Sequence, residues 1–513
     1  MSTLSLKRRR DIARQKWQFI AVLVTVVLGV MMFAGSFNAY LNLGTSLAGT
    51  YERLAMADLT IAGADEGFVE SAAAIDGVDA AIERRQIDVP IEVGDDAFLG
   101  RLIGMPAQEQ PAVNRVDIED GSYLDPDDRR QVLVEAHMAT DFELTVGDMF
   151  TIAGTDVEVA GIVVSPEYLW PARDNQSLFT PPKSFGVVFV HEEVLEGLNS
   201  ATLERQVLVH YEANVVTEDV DDAVISAANA AGAVSTQILA KQPSNESINL
   251  EITGLRTMAV AFPLLFLVAA GMAIYVVITR MVYSQRGVIG TLRATGFSSR
   301  TLAAHYRSYG LGVGIIGAVI GAAFGSLMGR GLTAIYVQVF GIPDLVAGLH
   351  IPTVVLALAF GAIAGTLAAV APARTVSRMA PAEAMRGDAP ASGGKMSIFE
   401  RVIPPLRHTP VRWRMTFRGI GRSKRRSFTM VMGVVLAMTL VLAAWGMLDT
   451  MLLSLDRHFT EVAVEDATVV MNTAVGEEQV STIEAVGGVK LAESVLGMSV
   501  TIRNGGESYT TLI

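Results

Sequence analysis

Four stretches of the 513-residue chain carry residue types that could do chemistry. His191-Glu192-Glu193 places an imidazole beside two carboxylates, as a zinc-protease helix begins. That motif needs a second His four residues after the first, so that both rings share one helix face, and position 195 is Leu. The clusters Asp125-Pro126-Asp127-Asp128 and Glu218-Asp219 with Asp221-Asp222 offer oxygens to a cation, but such runs more simply solvate loops. Gly393-Gly394-Lys395-Met396 is the nearest approach to a phosphate loop. There the first Gly of the motif would fall at Ala389, and Met396 stands where Ser or Thr would hold Mg²⁺. This Gly/Ala/Pro-rich stretch reads as a tether. No nucleophile elbow is present. With no Cys there is no disulfide, thiolate zinc site, iron–sulfur cluster or lipidated Cys. The chain is therefore expected to hold no catalytic, cofactor or metal site of its own.

The elements around these residues are dominated by apolar runs. Hydrophobic residues make up 51% of the chain and charged ones 18%, against about 25% charged in an ordinary soluble domain. The apolar content gathers in Phe19 to Tyr40, Thr257 to Thr279, Ser308 to Gly329, Ile351 to Ala373 and Ser427 to Asp449. Each is about 22 residues long without an interior charge, enough to cross a ~30 Å hydrocarbon core. The fold class expected is a polytopic α-helical membrane protein with five transmembrane helices and a large extracytoplasmic mixed α/β domain. The first run is longer than a signal-peptide core and reads as an uncleaved anchor.

Charge orients the spans. Residues 1–16 hold six Lys/Arg and one acid, the 280–300 loop four Arg and no acid, and 374–426 thirteen Lys/Arg and three acids. Residues 41–255 hold thirty-eight acids and eleven Lys/Arg. By the positive-inside rule, the N-terminus, the 280–300 loop and the later linker face the cytoplasm, and 41–255 faces outward. The location expected is the cell membrane, multi-pass. A net charge of -13 argues against a nucleic-acid partner.

The resulting division is a basic N-terminus (1–16), a first helix (17–40), an outer α/β domain (41–255) and a three-span core (256–375, with spans 257–279, 308–329 and 351–373). A basic linker (376–426), a fifth helix (427–449) and the start of a second outer domain (450–513) follow. Within the outer domain, Asp58 to Ile61 and Asp88 to Val93 alternate like strands, the latter turning at Gly94-Asp95-Asp96. Phe68 to Ile75, Glu135 to Phe142 and Val220 to Ala231 read as helices. Two strands are expected around a turn at Gly154-Thr155-Asp156, ending at Ala160 to Val163.

The chain also repeats itself with an offset near 410 residues. Asp58 to Ile61 matches Asp466 to Val469, Ile75 to Val78 matches Val486 to Val489, and Val89 to Gly94 matches Val500 to Gly505. The second unit is expected to continue past Ile513, which lies inside an apolar run, and to add three more spans.

One span, a large outer domain and three spans, in duplicate, resembles the FtsX-like/MacB-like permease family of ABC transporters. Ile289 to Gly296 (IGTLRATG) resembles that family's segment between its second and third spans, and Pro381 to Arg386 (PAEAMR) its segment after the fourth. Leu144 to Asp148 with Gly161-Ile162 resembles elements of the MacB-like outer domain. The acid the family usually carries before the first of these segments is Val288 here, so no acid stands there to pair with a partner.

The resemblance implies that Arg286, Ile289, Gly290, Leu292, Arg293 and Gly296 belong to a coupling helix that seats on an ATPase. Val288, Ile289, Leu292 and Phe297 are expected on one side of it, with Arg286, Arg293 and Arg300 keeping it basic. Pro381, Glu383 and Arg386 form the second cytoplasmic motif. Gly317, Gly321, Gly325 and Gly329 recur every four residues and form a bare strip for close helix packing.

The function implied is a permease subunit that exports or extracts a hydrophobic, lipoprotein or peptide cargo. Its partners would be cytoplasmic ABC ATPase subunits, two per full-length permease, holding the ATP and Mg, with an extracytoplasmic partner or cargo besides. A membrane-anchored sensor or scaffold is the alternative, and a membrane-anchored enzyme a weaker third.

Overall fold

The computed structural model describes residues 3–173, 182–196, 203–213, 215–380, 424–457, 460–461, 469, 475–494, 499–504 and 507–512. In chain order, α1 (Thr3–Arg14) precedes α2 (Lys16–Arg53), β1 (Leu59–Ala62), α3 (Phe68–Ala73), β2 (Val78–Val93) and β3 (Asp96–Met105). Then come β4 (Asp117–Gly121), β5 (Gln131–Glu135), α4 (Ala136–Asp141), β6 (Met149–Ile152) and β7 (Thr155–Val164). Next are β8 (Phe185–His191), α5 (Glu192–Glu196), β9 (Glu204–Tyr211), α6 (Thr217–Ala230) and β10 (Ser235–Ile238). The helices α7 (Pro243–Ser284), α8 (Arg286–Ala294), α9 (Ser299–Val339), α10 (Ile351–Arg378) and α11 (Lys424–Arg457) follow. The chain closes with α12 (Glu477–Glu484), β11 (Ser499–Asn504) and β12 (Glu507–Leu512).

Two compact units result: residues 1–42, 254–333 and 347–464 in the first, and 43–253, 334–346 and 465–513 in the second. In the first, α2, α7, α9 and α10 are long and apolar enough to cross a membrane. They outrun the apolar runs that announce them. The 42 residues of α7 span ~63 Å, twice the hydrocarbon core, and the helix runs on through Gly254 and Pro263. Pro243 opens α7 at the position where a missing N–H costs nothing, and the Gln242 side chain accepts from Asn245 N at 2.7 Å. The fifth expected span coincides with α11, which is not among these four; parts of its surface lie outside the described residues.

The core of this unit joins Val26, Val30 and Ala34 of α2 to Ile274 and Ile278 of α7, Ala318 and Ala322 of α9, and Ala357 and Ala369 of α10. Glycine sets how closely these helices approach. A Cβ on Gly321 would sit 2.8 Å from Val27 O, and one on Gly325 2.7 Å from Met31 O. Gly317 and Gly329 meet Val26 and Gly35 in the same way, so the strip spaced by four residues is the seat of α2 on α9. A second strip has the same spacing. Cβ atoms on Gly310 and Gly314 would lie 2.3 Å from Gly365 O and Gly361 O, which brings α9 against α10.

The second unit is built on a mixed sheet ordered β10-β1-β9-β2-β3-β8-β5-β7-β4, with β6 pairing β2 and β7. The pairs β3/β8 and β5/β7 are parallel and the others antiparallel. Successive residues fall into different cores, as the pleat requires. Leu102, Val134 and Val188 pack with Met138 of α4, whereas Ile103, Leu133 and Phe189 pack with Tyr168. All seven residues of β8 are buried, as a strand covered on both faces must be. α3 and α6 cover the far end, with Phe68, Ala72, Val224 and Ala228 over Leu59, Ile61 and Val209. The hairpin expected at Gly154-Thr155-Asp156 turns one residue earlier, at Ala153-Gly154, both with positive φ, and Thr155 already pairs with Ile152.

The internal repeat has a backbone counterpart. A shift of 411 residues carries Gly77 (φ 92°) to Gly488 (φ 106°). It also carries the closing pair Val93/Asp96 of the β2–β3 hairpin to Asn504/Glu507 of β11–β12. In both copies a helix ends and a tight turn closes with a 3.1 Å hydrogen bond, from Val78 N to Ile75 O and from Val489 N to Val486 O.

Candidate functional site

The helix α8 sits at a sharp corner. Gln285, with φ −103° and ψ 12°, breaks the path of α7, and α8 starts at the next residue. It ends in a left-handed residue, Gly296 (φ 99°), with Gly296 N donating to Arg293 O at 3.2 Å and Phe297 N to Leu292 O at 3.1 Å. Those paired bonds and the apolar partners Leu292 and Phe297 form a Schellman cap. Gly296 is thus required by the turn that closes the helix. Ser298 Oγ then accepts from Thr301 N at 3.1 Å and caps α9.

The structure separates residues expected together. Ile289 and Gly290 are buried, and Leu292 packs on the same core, so this side faces the protein. Val288 is 50% exposed: neighbours on a helix diverge by about 100°, and it cannot share the face of Ile289. The outward surface is Gly287, Val288, Thr291, Ala294 and Thr295, with Arg286 and Arg293 half-buried at its edges and Arg300 exposed in α9. Arg293 Nη1 donates to Met379 O, tying α8 to the residue after α10. Pro381, Glu383 and Arg386 lie outside the described residues.

The corner is held from the N-terminal helix. Lys7 Nζ donates to Gln285 Oε1 and to Asp11 Oδ2, both at 2.5 Å. Tyr306 OH donates to the same Gln285 oxygen at 2.9 Å, and Tyr309 OH to Asp11 Oδ2 at 2.8 Å. The Lys7 ammonium also lies 5.5 Å from the centre of the Tyr306 ring, a cation–π distance. Sequence reasoning passed over these residues; the one local signal was the Lys7/Asp11 spacing of four, which makes a helical ion pair.

In the second unit the chemistry-bearing stretches have structural roles. His191 is buried at the end of β8, and the described residues include no group of His, Asp and Glu that would hold a metal. Asp125 and Asp128 accept from Asp127 N and Arg130 N within their own turns. Glu218 and Asp219 occupy the first turn of α6, where the helix dipole favours acids, and Asp221 accepts from Tyr211 OH at 2.6 Å. Asp148 accepts from Thr145 N and Oγ1 at 2.7 and 2.8 Å, bonds that hold its carboxyl below the usual carboxylate range. A Cβ on Gly161 would lie 2.6 Å from Ser122 O, so β7 needs glycine there to take the strand beside it.

The three-span stretch matches the model of the FtsX-like permease C-terminal domain over residues 260–381. The chain carries an FtsX-like permease domain. That domain starts inside α7, contains α8, α9 and α10, and stops at Pro381. Two solved structures are similar to part of the chain. The extracellular domain of the ABC-type transporter YknZ from Gram-positive bacteria has 15% identity, covering 34% of this chain and 89% of that one, with a TM-score of 0.25. The periplasmic region of MacB from Actinobacillus actinomycetemcomitans has 12% identity, covering 40% of this chain and 97% of that one, also with a TM-score of 0.25. No curated protein gives a significant match. With its four long apolar helices and this domain, the chain is a multi-pass membrane protein.

Proposed function

We propose that this chain is the permease subunit of an ABC-type exporter or mechanotransmission machine, driven by ATPase subunits that are separate chains. The observation that carries the reading is the α8 corner within the matched domain. It presents a short exposed face flanked by Arg286 and Arg293, while its other face is locked by Ile289, Leu292 and the Gln285 and Arg293 hydrogen bonds. A rigid helix fixed to α7, α9, α10 and α1 transmits force; a loop would absorb it. On this reading the N-terminus and α8 are cytoplasmic, residues 41–255 are extracytoplasmic, and ATP and Mg bind to the partners. The repeat with its 411-residue shift supports a duplicated permease, with α11 as the first span of the second half and one ATPase for each half. The cargo class is hydrophobic, lipoprotein or peptide.

The test is co-purification of the full chain with the ATPase encoded beside it, followed by ATP turnover in nanodiscs. The chain is expected to stimulate turnover, and Thr291→Trp, which puts bulk on the exposed face of α8, to abolish both stimulation and assembly. If no ATPase binds, the sensor or scaffold reading replaces this one.

A further inference from the structure

Beneath the loop from Pro106 to Asn114, the sheet of the second unit leaves a pocket of about 210 Å³. Its walls are apolar: Ile82, Ile103, Met105, Phe189 and Leu208 from the strands and Val113 from the loop. A dry cavity of ~150 Å³ with walls of this kind takes benzene, so this one has room for a ring and a short arm.

Polar groups reach the pocket from two sides. Asn114, 5% exposed, lines it, and its Nδ2 has no partner among the described residues. The rest of that residue is tied down. Oδ1 accepts from Ala57 N at 2.6 Å, and the backbone N donates to Ala55 O at 2.8 Å, holding Asn114 at φ 55°. A buried amide donor left unmade carries an unrecovered desolvation cost, which a ligand acceptor would recover. Glu192 adds a carboxylate to the lining, whereas the Glu83 side chain points to the other face of β2, 4.0 Å from Arg205 Nε. The cation that also lines it, Arg84, is committed to Glu167 at 2.5 and 2.8 Å. The pocket is therefore apolar within, with one unused donor and a negative bias.

We propose that this pocket binds a small organic ammonium with an aromatic body and a hydroxyl or carbonyl acceptor. The ammonium sits toward Glu192, the ring lies among Ile103, Phe189 and Leu208, and the acceptor takes the Asn114 amide. The roof loop is the one whose Asn114 and Arg115 N–H groups donate to Ala55 O and Leu54 O, just after α2. A bound ligand braces that junction.

Tyramine is the probe, with full-length chain in nanodiscs and empty nanodiscs as reference, read by saturation-transfer NMR. Saturable binding to the protein is expected, with slowed amide exchange at Asn114 and Arg115. Glu192→Gln, on an exposed side chain, should weaken tyramine roughly two- to fivefold while leaving 4-ethylphenol, which lacks the ammonium, unchanged. Asn114→Asp keeps the oxygen that caps Ala57 and tolerates the positive φ, yet removes the donor. It should erase the advantage of tyramine's hydroxyl over 2-phenylethylamine. Equal signal from empty nanodiscs, equal binding by 3-(4-hydroxyphenyl)propionate, or insensitivity to both substitutions would overturn the proposal.

Discussion

Lys7 Nζ lies 2.5 Å from Gln285 Oε1, joining the N-terminal helix to the residue that turns α7 into α8 across 278 positions of sequence. The same ammonium holds Asp11, which in turn takes the Tyr309 hydroxyl. The corner is therefore built from α1, α7 and α9 together.

Replacing Lys7 with Met keeps the length of the side chain and removes both bonds. The expected cost is about 1–3 kcal/mol, read as a lower thermal midpoint of the solubilised chain and faster amide exchange at Ile289. An unchanged exchange rate at Ile289 would mean that α1 does not hold the corner.

The α2–α9 contact makes a sharper steric prediction. Gly325→Val adds atoms where Met31 O and Ala34 Cβ already stand 2.7 and 2.8 Å from a Cβ position, and should cost about 1–3 kcal/mol. Gly312→Ala meets nothing within 4 Å and should be neutral or slightly stabilising, as alanine favours helix. The pair of melting curves checks both directions.

In the second unit Arg84 and Glu167 form a buried pair, 8% and 7% exposed, to which Gln206 Oε1 adds a contact to Arg84 Nε at 3.0 Å. Arg84→Met leaves Glu167 charged and unpaired, at a cost of roughly 3–5 kcal/mol. Adding Glu167→Met should recover most of that loss, so a double-mutant cycle will be strongly non-additive.

Two histidines give the second unit a pH dependence. The Asp58 hydrogen bond raises the His210 pKa, against burial. At His137 burial opposes the charge, but the Glu135 hydrogen bond and nearby acids outweigh it, and the pKa is again raised. A raised histidine pKa stabilises fully below its unfolded value, ~6.5, and this contribution is lost as pH rises through the folded value. Stability should fall from pH 6 to pH 8, and His137→Gln with His210→Gln should flatten that slope in a denaturant titration at each pH.

Parts of this architecture were legible because they are periodic. Glycines at 317, 321, 325 and 329 announce a close helix contact, but spacing names a face and leaves the partner open, so α2 emerged only from the packing. Gly310, Gly314, Gly361 and Gly365 follow the same rule and were passed over, hidden among other small residues. Val288 was misplaced because apolar type was weighed above the helical angle separating it from Ile289. Alternation located β1 and β2, yet nothing local sets β9 between them, since strand order is decided by pairing distant segments. Lys7 and Gln285 each look like ordinary polar surface until the fold joins them.

Site-directed cross-linking tests the central claim most directly. The chain has no native cysteine, so single cysteines at Val288, Thr291 and Ile289 report unambiguously. With the ATPase present, Val288→Cys and Thr291→Cys should cross-link to it, while Ile289→Cys, on the buried face, should not. Failure of both exposed positions to cross-link in a chain that still folds would contradict the assignment of α8 as the surface where ATP hydrolysis is coupled to the permease.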